Sequence, residues 1–213
     1  MIRFDVLTIF PAALDSYLNE SILKRAQKKE LIKIRTYNIR DFSRDKHRKV
    51  DDRPYGGGAG MVMAFTPIAE GMKAIKEKGK RGKLRSRTIL FSLRGKKFTN
   101  KDAQRLSKYD QLILICGRYG GVDERVAKHI ADEELSIGDF VLTGGELPAM
   151  IVIDAVSRQI KCVLGKQESL EEQQGSYSVY TRPETIVWKG KKLRVPRVLL
   201  SGHHEKIRKA RRI

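Results

Sequence analysis

Cysteine is scarce in this sequence of 213 residues, and its scarcity excludes two common ways of stabilising a fold. Cys116 and Cys162 are far apart, and neither belongs to a C-x-x-C pair or a Cys/His cluster. The sequence therefore predicts neither a disulfide framework nor a zinc site, and it is typical of a reducing cytoplasm. The four histidines have no metal-ligand spacing either, so no metal site is expected from them.

Long apolar runs are also missing from the chain. No run reaches the length needed to span a bilayer. Residues 2–9 alternate between apolar and polar side chains and include Arg3 and Asp5, which is the pattern of a strand and not of the apolar core of a signal peptide. A soluble, cytoplasmic protein without a membrane partner is expected.

Positive charge, in contrast, is abundant: 44 basic and 25 acidic residues give a formal net charge of +19. Residues 73–97 contain 11 Lys/Arg and one acid, and residues 189–213 contain 10 and one, so these two windows carry the whole excess. Cations near a phosphate backbone gain binding free energy by releasing counterions, so a nucleic acid partner is predicted. A solubility surface or a membrane-facing patch is the alternative, and no amphipathic basic helix supports the membrane version.

Apolar periodicity alternates between strand and helix through most of the chain. It predicts strands at 2–9, 32–37, 88–93, 111–115 and 135–137 and helices at 21–29, 66–78, 101–107, 122–129 and 148–163. Such alternation predicts an α/β fold with a parallel sheet and helices on both faces. The periodicity disappears after Gly165, which indicates a domain at 1–165, a linker at 166–178 and a small basic C-terminal domain at 179–213.

Two apolar segments run straight into loops that combine glycine with charged residues. The loops lie at residues 117–126 and 136–148. Glycine lets the backbone approach a ligand closely, and open α/β sheets bind small molecules at the carboxyl ends of their strands. Either loop alone could be an ordinary turn between strand and helix. Together the two loops predict a ligand site.

A third glycine loop, Asp51–Met61, lacks both the Gly-Lys-Ser/Thr ending of a P-loop and the spacing of a dinucleotide-binding loop. This loop and four other segments, in order along the chain, resemble the bacterial tRNA (guanine-37-N1)-methyltransferases. The matching segments are residues 45–48 with 51–61, 117–126, 136–150, 180–183 and 199–202. The resemblance spans nearly the whole chain, which makes it far more specific than any single glycine loop.

The resemblance implies a SPOUT-type parallel sheet whose C-terminal part is threaded into a trefoil knot that binds S-adenosylmethionine. It also implies a tRNA substrate and a homodimer with each site at the subunit interface. The cofactor-binding residues that it implies are Ser92, Leu93, Gly95, Gly117, Arg118, Tyr119, Ile137, Gly138, Asp139, Phe140, Val141, Leu142, Gly144 and Gly145. The substrate-binding residues that it implies are His47, Asp51, Arg53, Gly58, Tyr180, Arg182 and Ser201.

Methylation of guanine N1 requires a donor methyl group close to N1, a proton acceptor, and positive charge beside O6. Arg158 matches the family's base-activating arginine, and its guanidinium presents several fixed donors. The family's general base is a linker aspartate. Ungapped counting places Gln173 there, and a neutral amide cannot hold the proton. Glu172 and then Glu171 are the predicted substitutes, with a solvated linker face as the alternative.

Gly120 is a second departure from the family, which has a glutamate associated with magnesium at this position. Losing that carboxylate removes a hard-oxygen ligand and argues against a magnesium role, although Asp139, Asp154 and Glu124 lie close in sequence. Two other functions stay open. Gln173 and Gly120 leave open an RNA-binding protein of this fold with weakened catalysis. A tRNA ribose 2′-O-methyltransferase is the other alternative, and the third glycine loop argues against it.

Overall fold

The computed structural model describes residues 1–77, 84–164 and 177–210 of the chain. It comprises two compact units, Met1–Gly165 and Lys166–Ile213.

The first unit is built on a five-stranded parallel sheet. The strands among its described residues are β1 (Ile2–Thr8), β2 (Ile32–Asn38), β3 (Asp51–Asp52), β4 (Val62–Met63), β5 (Ser86–Lys97), β6 (Gln111–Ile115) and β7 (Glu133–Ser136). The sheet has the order β2-β1-β6-β5-β7, with every neighbouring pair parallel, while β3 and β4 form a short antiparallel hairpin. The predicted parallel sheet is therefore confirmed.

Alternation of side chains along the strands divides the core into two layers. Phe4 and Val6 of β1 belong to one apolar cluster, and Leu7 belongs to the other. The first layer is covered by α1 (Ala12–Leu18), α2 (Ser21–Lys28), α4 (Asn100–Leu106) and α6 (Glu146–Arg158). The second is covered by the 3₁₀ helix Ile39–Phe42, α3 (Phe65–Glu77) and α5 (Glu124–His129). Helices thus lie on both faces of the sheet, as an α/β architecture requires.

Several elements differ from their predicted bounds. β5 continues four residues beyond its predicted end at 93, because it rejoins β7 after a register shift between Phe91 and Lys96. Helix α6 ends at Arg158, short of the predicted 163. Helix α1 was missed altogether, although Leu14 and Leu18 place two buried side chains one turn apart.

The described part of the second unit, residues 177–210, contains an antiparallel hairpin and two short helices. The strands are β8 (Thr185–Trp188) and β9 (Lys191–Arg194), and the helices are α7 (Arg197–Leu200) and α8 (His204–Ala210). Within the described parts of both units, no helix is long and apolar enough to cross a membrane.

Candidate functional site

A cavity of about 570 Å³ opens at the carboxyl ends of β5, β6 and β7. Its position is the one at which parallel α/β sheets bind small molecules. Twelve of the fourteen predicted cofactor residues line it: Ser92, Leu93, Gly117, Arg118, Tyr119, Ile137, Gly138, Phe140, Val141, Leu142, Gly144 and Gly145. The two glycine loops, which are separated in sequence, therefore meet at one site.

The other two predicted residues do not line the cavity. A Cβ on Gly95 would lie 2.6 Å from the backbone carbon of Glu134, so this glycine allows β5 to pass close to β7. Asp139 is exposed and pairs with Lys97. Its side chain is 80% exposed, so it faces solvent and not the cavity.

Backbone contact joins the two glycine loops. The Gly145 amide donates to the Gly117 carbonyl at 2.9 Å. A Cβ on Gly145 would lie 2.6 Å from the Cα of Cys116, so only glycine permits this approach. The Cys116 thiol beneath the contact is fully buried, and burial raises its pKa well above the ordinary value.

A buried carboxylate that sequence reasoning missed lies below this junction. Glu146, the first residue of α6, accepts from the Thr8 hydroxyl at 2.6 Å and from Arg118 Nε at 3.0 Å. The Arg118 guanidinium also stacks on the Phe10 ring, 4.7 Å from its centroid. Thr8 and Glu146 are far apart in sequence, so no spacing rule could have paired them.

The mouth of the cavity is crossed by an exposed ion pair. Arg94 Nη2 and Glu124 Oε2 are 2.6 Å apart. The guanidinium lowers the pKa of Glu124, and the carboxylate raises the pKa of Arg94. Deeper in the cavity the walls are apolar, with Leu90, Val122 and Ala127 among them.

The third glycine loop is part of a hairpin, residues 51–63, that is attached to the loop at 117–123. The Gly120 amide donates to the Met61 carbonyl at 2.8 Å, and the Met63 amide donates to the Gly121 carbonyl at 2.9 Å. A Cβ on Gly120 would lie 3.0 Å from the Met61 carbonyl oxygen, so a larger residue at 120 requires the hairpin to move slightly. The predicted substrate residues Asp51, Arg53 and Gly58 all belong to this hairpin.

A basic turn lies beside the same loop. His47 is exposed there, and its backbone amide donates to Asp45 at 2.8 Å. The backbone amides of Lys49 and His47 lower the pKa of the Asp45 carboxyl. Arg40 ties the turn to the cavity, because it donates to the Arg48 carbonyl at 3.4 Å and to the Tyr119 hydroxyl at 3.3 Å.

The remaining predicted residues either do not line the cavity, belong to the second unit or lie outside the described residues. Arg158 ends α6, ten residues after the cavity-lining Pro148, which is about 15 Å along the helix. Tyr180, Arg182 and Ser201 belong to the second unit. The predicted bases Glu171 and Glu172, and also Gln173, lie outside the described residues. Within the described ranges, no three His, Cys, Asp or Glu side chains are grouped as a metal site would require.

Comparison with known proteins gives a consistent result. Residues 2–213 match the model of the family described as tRNA (Guanine-1)-methyltransferase TrmD. A relative from Ruminiclostridium cellulolyticum, named tRNA (guanine-N(1)-)-methyltransferase, is 49% identical over 214 residues, which cover 98% of this chain and 89% of the relative. One of the same name from Geotalea uraniireducens is 51% identical over 215 residues, with 99% and 84% covered. A crystal structure of tRNA (m1G37) methyltransferase from Aquifex aeolicus has a TM-score of 0.80 and 42% identity, covering 97% of this chain and 85% of that chain.

Proposed function

Because the chain belongs to the tRNA (guanine-1)-methyltransferase TrmD family, we propose that it transfers a methyl group from S-adenosylmethionine to N1 of guanosine 37 in tRNA. The observation that carries the proposal is the attachment of the glycine hairpin 51–63 to the wall of the cavity. Direct methyl transfer requires donor and acceptor in contact, and a substrate loop bonded to a donor site satisfies that requirement.

The cavity suits S-adenosylmethionine in size and lining. Its volume of about 570 Å³ lies inside the range of roughly 300–1,000 Å³ typical of small-molecule sites. Leu90 and Ala127 offer apolar surface to a flat base, and the glycine loops present backbone donors and acceptors to its polar edge. When bound, the cofactor supplies an electrophilic methyl group on a sulfonium.

Two side chains of the chain would act on the guanine. Arg158 donates to O6, where negative charge develops as N1 attacks, and so stabilises the transition state. Glu172, or Glu171 in its place, accepts the N1 proton, which Gln173 cannot hold. The loss of the family's aspartate is thus compensated by a neighbouring carboxylate in the linker.

The position of Arg158 favours a dimer with shared sites. Arg158 does not line the cavity of its own chain, and about 15 Å of helix separates it from Pro148 of the cavity wall, which favours contact with a guanine at the cavity of a partner chain. Leu147 and Ile151 lie on one side of α6, four residues apart, and are about half exposed. Tyr17 extends this surface because its hydroxyl donates to Asp154 of α6, and Phe10 lies near the start of α6 because it packs on Arg118, which donates to Glu146.

We call the surface formed by α6, Phe10 and Tyr17 the α6 face. It is the proposed dimer interface. Burying exposed apolar side chains stabilises association, and a twofold interface uses the same patch on both chains. Docking would then bring Arg158 of one protomer to the cavity of the other.

The fold and the charge complete the proposal. The resemblance to the family implies a SPOUT-type trefoil knot in the first unit, in which the bulge at residues 92–95 and the loop at 136–145 would hold the cofactor. The basic second unit and the basic window at residues 73–97 would each bind tRNA phosphates. The linker that carries the base precedes the second unit. A tRNA substrate and two thiols without disulfides suit the cytoplasm.

Nucleoside mapping tests the proposal directly. The protein is incubated with S-adenosylmethionine and a tRNA transcript that carries guanosine at position 37, and the digest is analysed by mass spectrometry. We expect 1-methylguanosine at position 37 and no methylation of a transcript with adenosine there. A methyl group on ribose would instead identify a ribose 2′-O-methyltransferase, and binding without any methylation would identify an RNA-binding protein that has lost turnover.

A further inference from the structure

Arg118 lines the cavity, and its side chain is 24% exposed, against 70% for the other lining cation, Arg94. We propose that its guanidinium binds the carboxylate of the amino-acid part of the methyl donor, and that Glu146 is the positioning residue that holds it there. This inference rests on the proposed use of S-adenosylmethionine and adds to it a specific contact and the residue that orients it.

The guanidinium is held from two sides. Glu146 accepts from Nε at 3.0 Å, and its own side chain is only 4% exposed. Thr8 bonds the other oxygen of the same carboxylate at 2.6 Å, so the carboxylate cannot rotate away without losing both partners. Phe10 stacks against the plane of the guanidinium. A buried, charge-assisted arrangement of this kind fixes orientation as well as charge.

The path of the Arg118 side chain depends on Gly144. A Cβ at this position would lie 2.2 Å from Arg118 Nε and 2.6 Å from Glu146 Oε2. The glycine therefore leaves the space through which the arginine reaches its partner. Because Gly144 has no left-handed backbone conformation, alanine there would disturb the arginine without straining the backbone.

Charge complementarity identifies the group that Arg118 meets. Four charged residues line the cavity: Arg94, Arg118, Glu124 and Glu134. Arg94 is engaged at the mouth by Glu124. Arg118 uses Nε for Glu146, and neither of its terminal nitrogens makes a hydrogen bond to a described residue. The amino-acid carboxylate is the only anionic group of the donor, and a guanidinium fork matches a carboxylate with two parallel bonds.

Two ligands that differ only in the carboxylate distinguish this contact from a general role of Arg118 in shaping the loop. Calorimetry compares S-adenosylhomocysteine with its decarboxylated analogue, which keeps the adenosine and the ammonium group. Arg118→Met should weaken S-adenosylhomocysteine by about tenfold or more and leave the analogue within about twofold, because a hydrogen bond to a charged group contributes more than a neutral one. Glu146→Gln and Gly144→Ala should reproduce most of that selective loss. Arg44→Met, which removes an ion-paired arginine outside the cavity, is the matched control and should change neither affinity.

The outcomes distinguish this inference from the proposed function. Equal weakening of both ligands in Arg118→Met would show that the arginine only shapes the loop, and unchanged affinities would show that it makes no contact; either result overturns the inference while leaving the cofactor site intact. Failure of the wild-type protein to bind either ligand would overturn the proposed function itself. A selective loss in Arg118→Met without one in Glu146→Gln would refute the positioning role of Glu146.

Discussion

The α6 face offers the sharpest test of the shared active site. The double substitution Leu147→Asp with Ile151→Asp places two carboxylates on the surface that the proposed dimer buries. The exposed fractions of these side chains are 53% and 44%, so about half of each is available to a partner.

The expected magnitude follows from that exposure. Fully burying a leucine or isoleucine contributes roughly 1.5–3 kcal/mol, so burying the exposed half contributes about 1 kcal/mol. A twofold interface contains each residue twice, which gives about 4 kcal/mol for the pair of positions, or roughly a thousandfold in the dimer dissociation constant. Unpaired carboxylates add a desolvation cost, so about a thousandfold is a lower bound.

Sedimentation across a concentration series measures the dissociation constant, and single-turnover methylation on the same samples measures activity. We expect the wild-type protein to be dimeric and the variant to be monomeric and inactive. Leu84→Asp, which changes an exposed leucine outside α6, is the control for the dimer and should leave its dissociation constant unchanged. An unaltered dimer in the α6 variant would refute this interface, and a monomer with the full methylation rate would refute the shared site.

Three further outcomes are expected. Arg158→Ala should slow single-turnover methylation by about a hundredfold or more, as loss of a transition-state donor does, and calorimetry should find S-adenosylhomocysteine affinity unchanged; a large loss of that affinity would contradict the distance argument. Glu172→Gln should slow the same step by about a hundredfold, whereas Gln173→Asp should help little; a silent Glu172→Gln with a strong acceleration by Gln173→Asp would show that no carboxylate has replaced the family's base. In the native protein a thiol reagent should modify Cys162, which is exposed, and spare Cys116, whose burial raises its pKa; modification of both before unfolding would contradict the packing of the glycine loops.

Much of the site was predictable because its signals are local. Glycine and charge directly after an apolar strand indicate a ligand loop, and both loops proved to line one cavity. The same local signals could not show that Gly95 and Asp139 do not line the cavity. Whether a glycine serves a ligand or a neighbouring strand depends on what lies opposite, and for Gly95 this is the backbone of Glu134.

By itself the sequence determined the parallel α/β architecture, the loops at the strand ends and the two basic windows, because apolar periodicity, glycine and charge each act over a few residues. Only the tertiary structure decided that Thr8 holds the Glu146 carboxylate that orients Arg118, and that the glycine hairpin is bonded to the cavity wall. These contacts join residues that are far apart in sequence. Buried hydrogen bonds and close backbone approaches depend on how the sheet and helices pack, and that packing leaves no periodic trace in the chain.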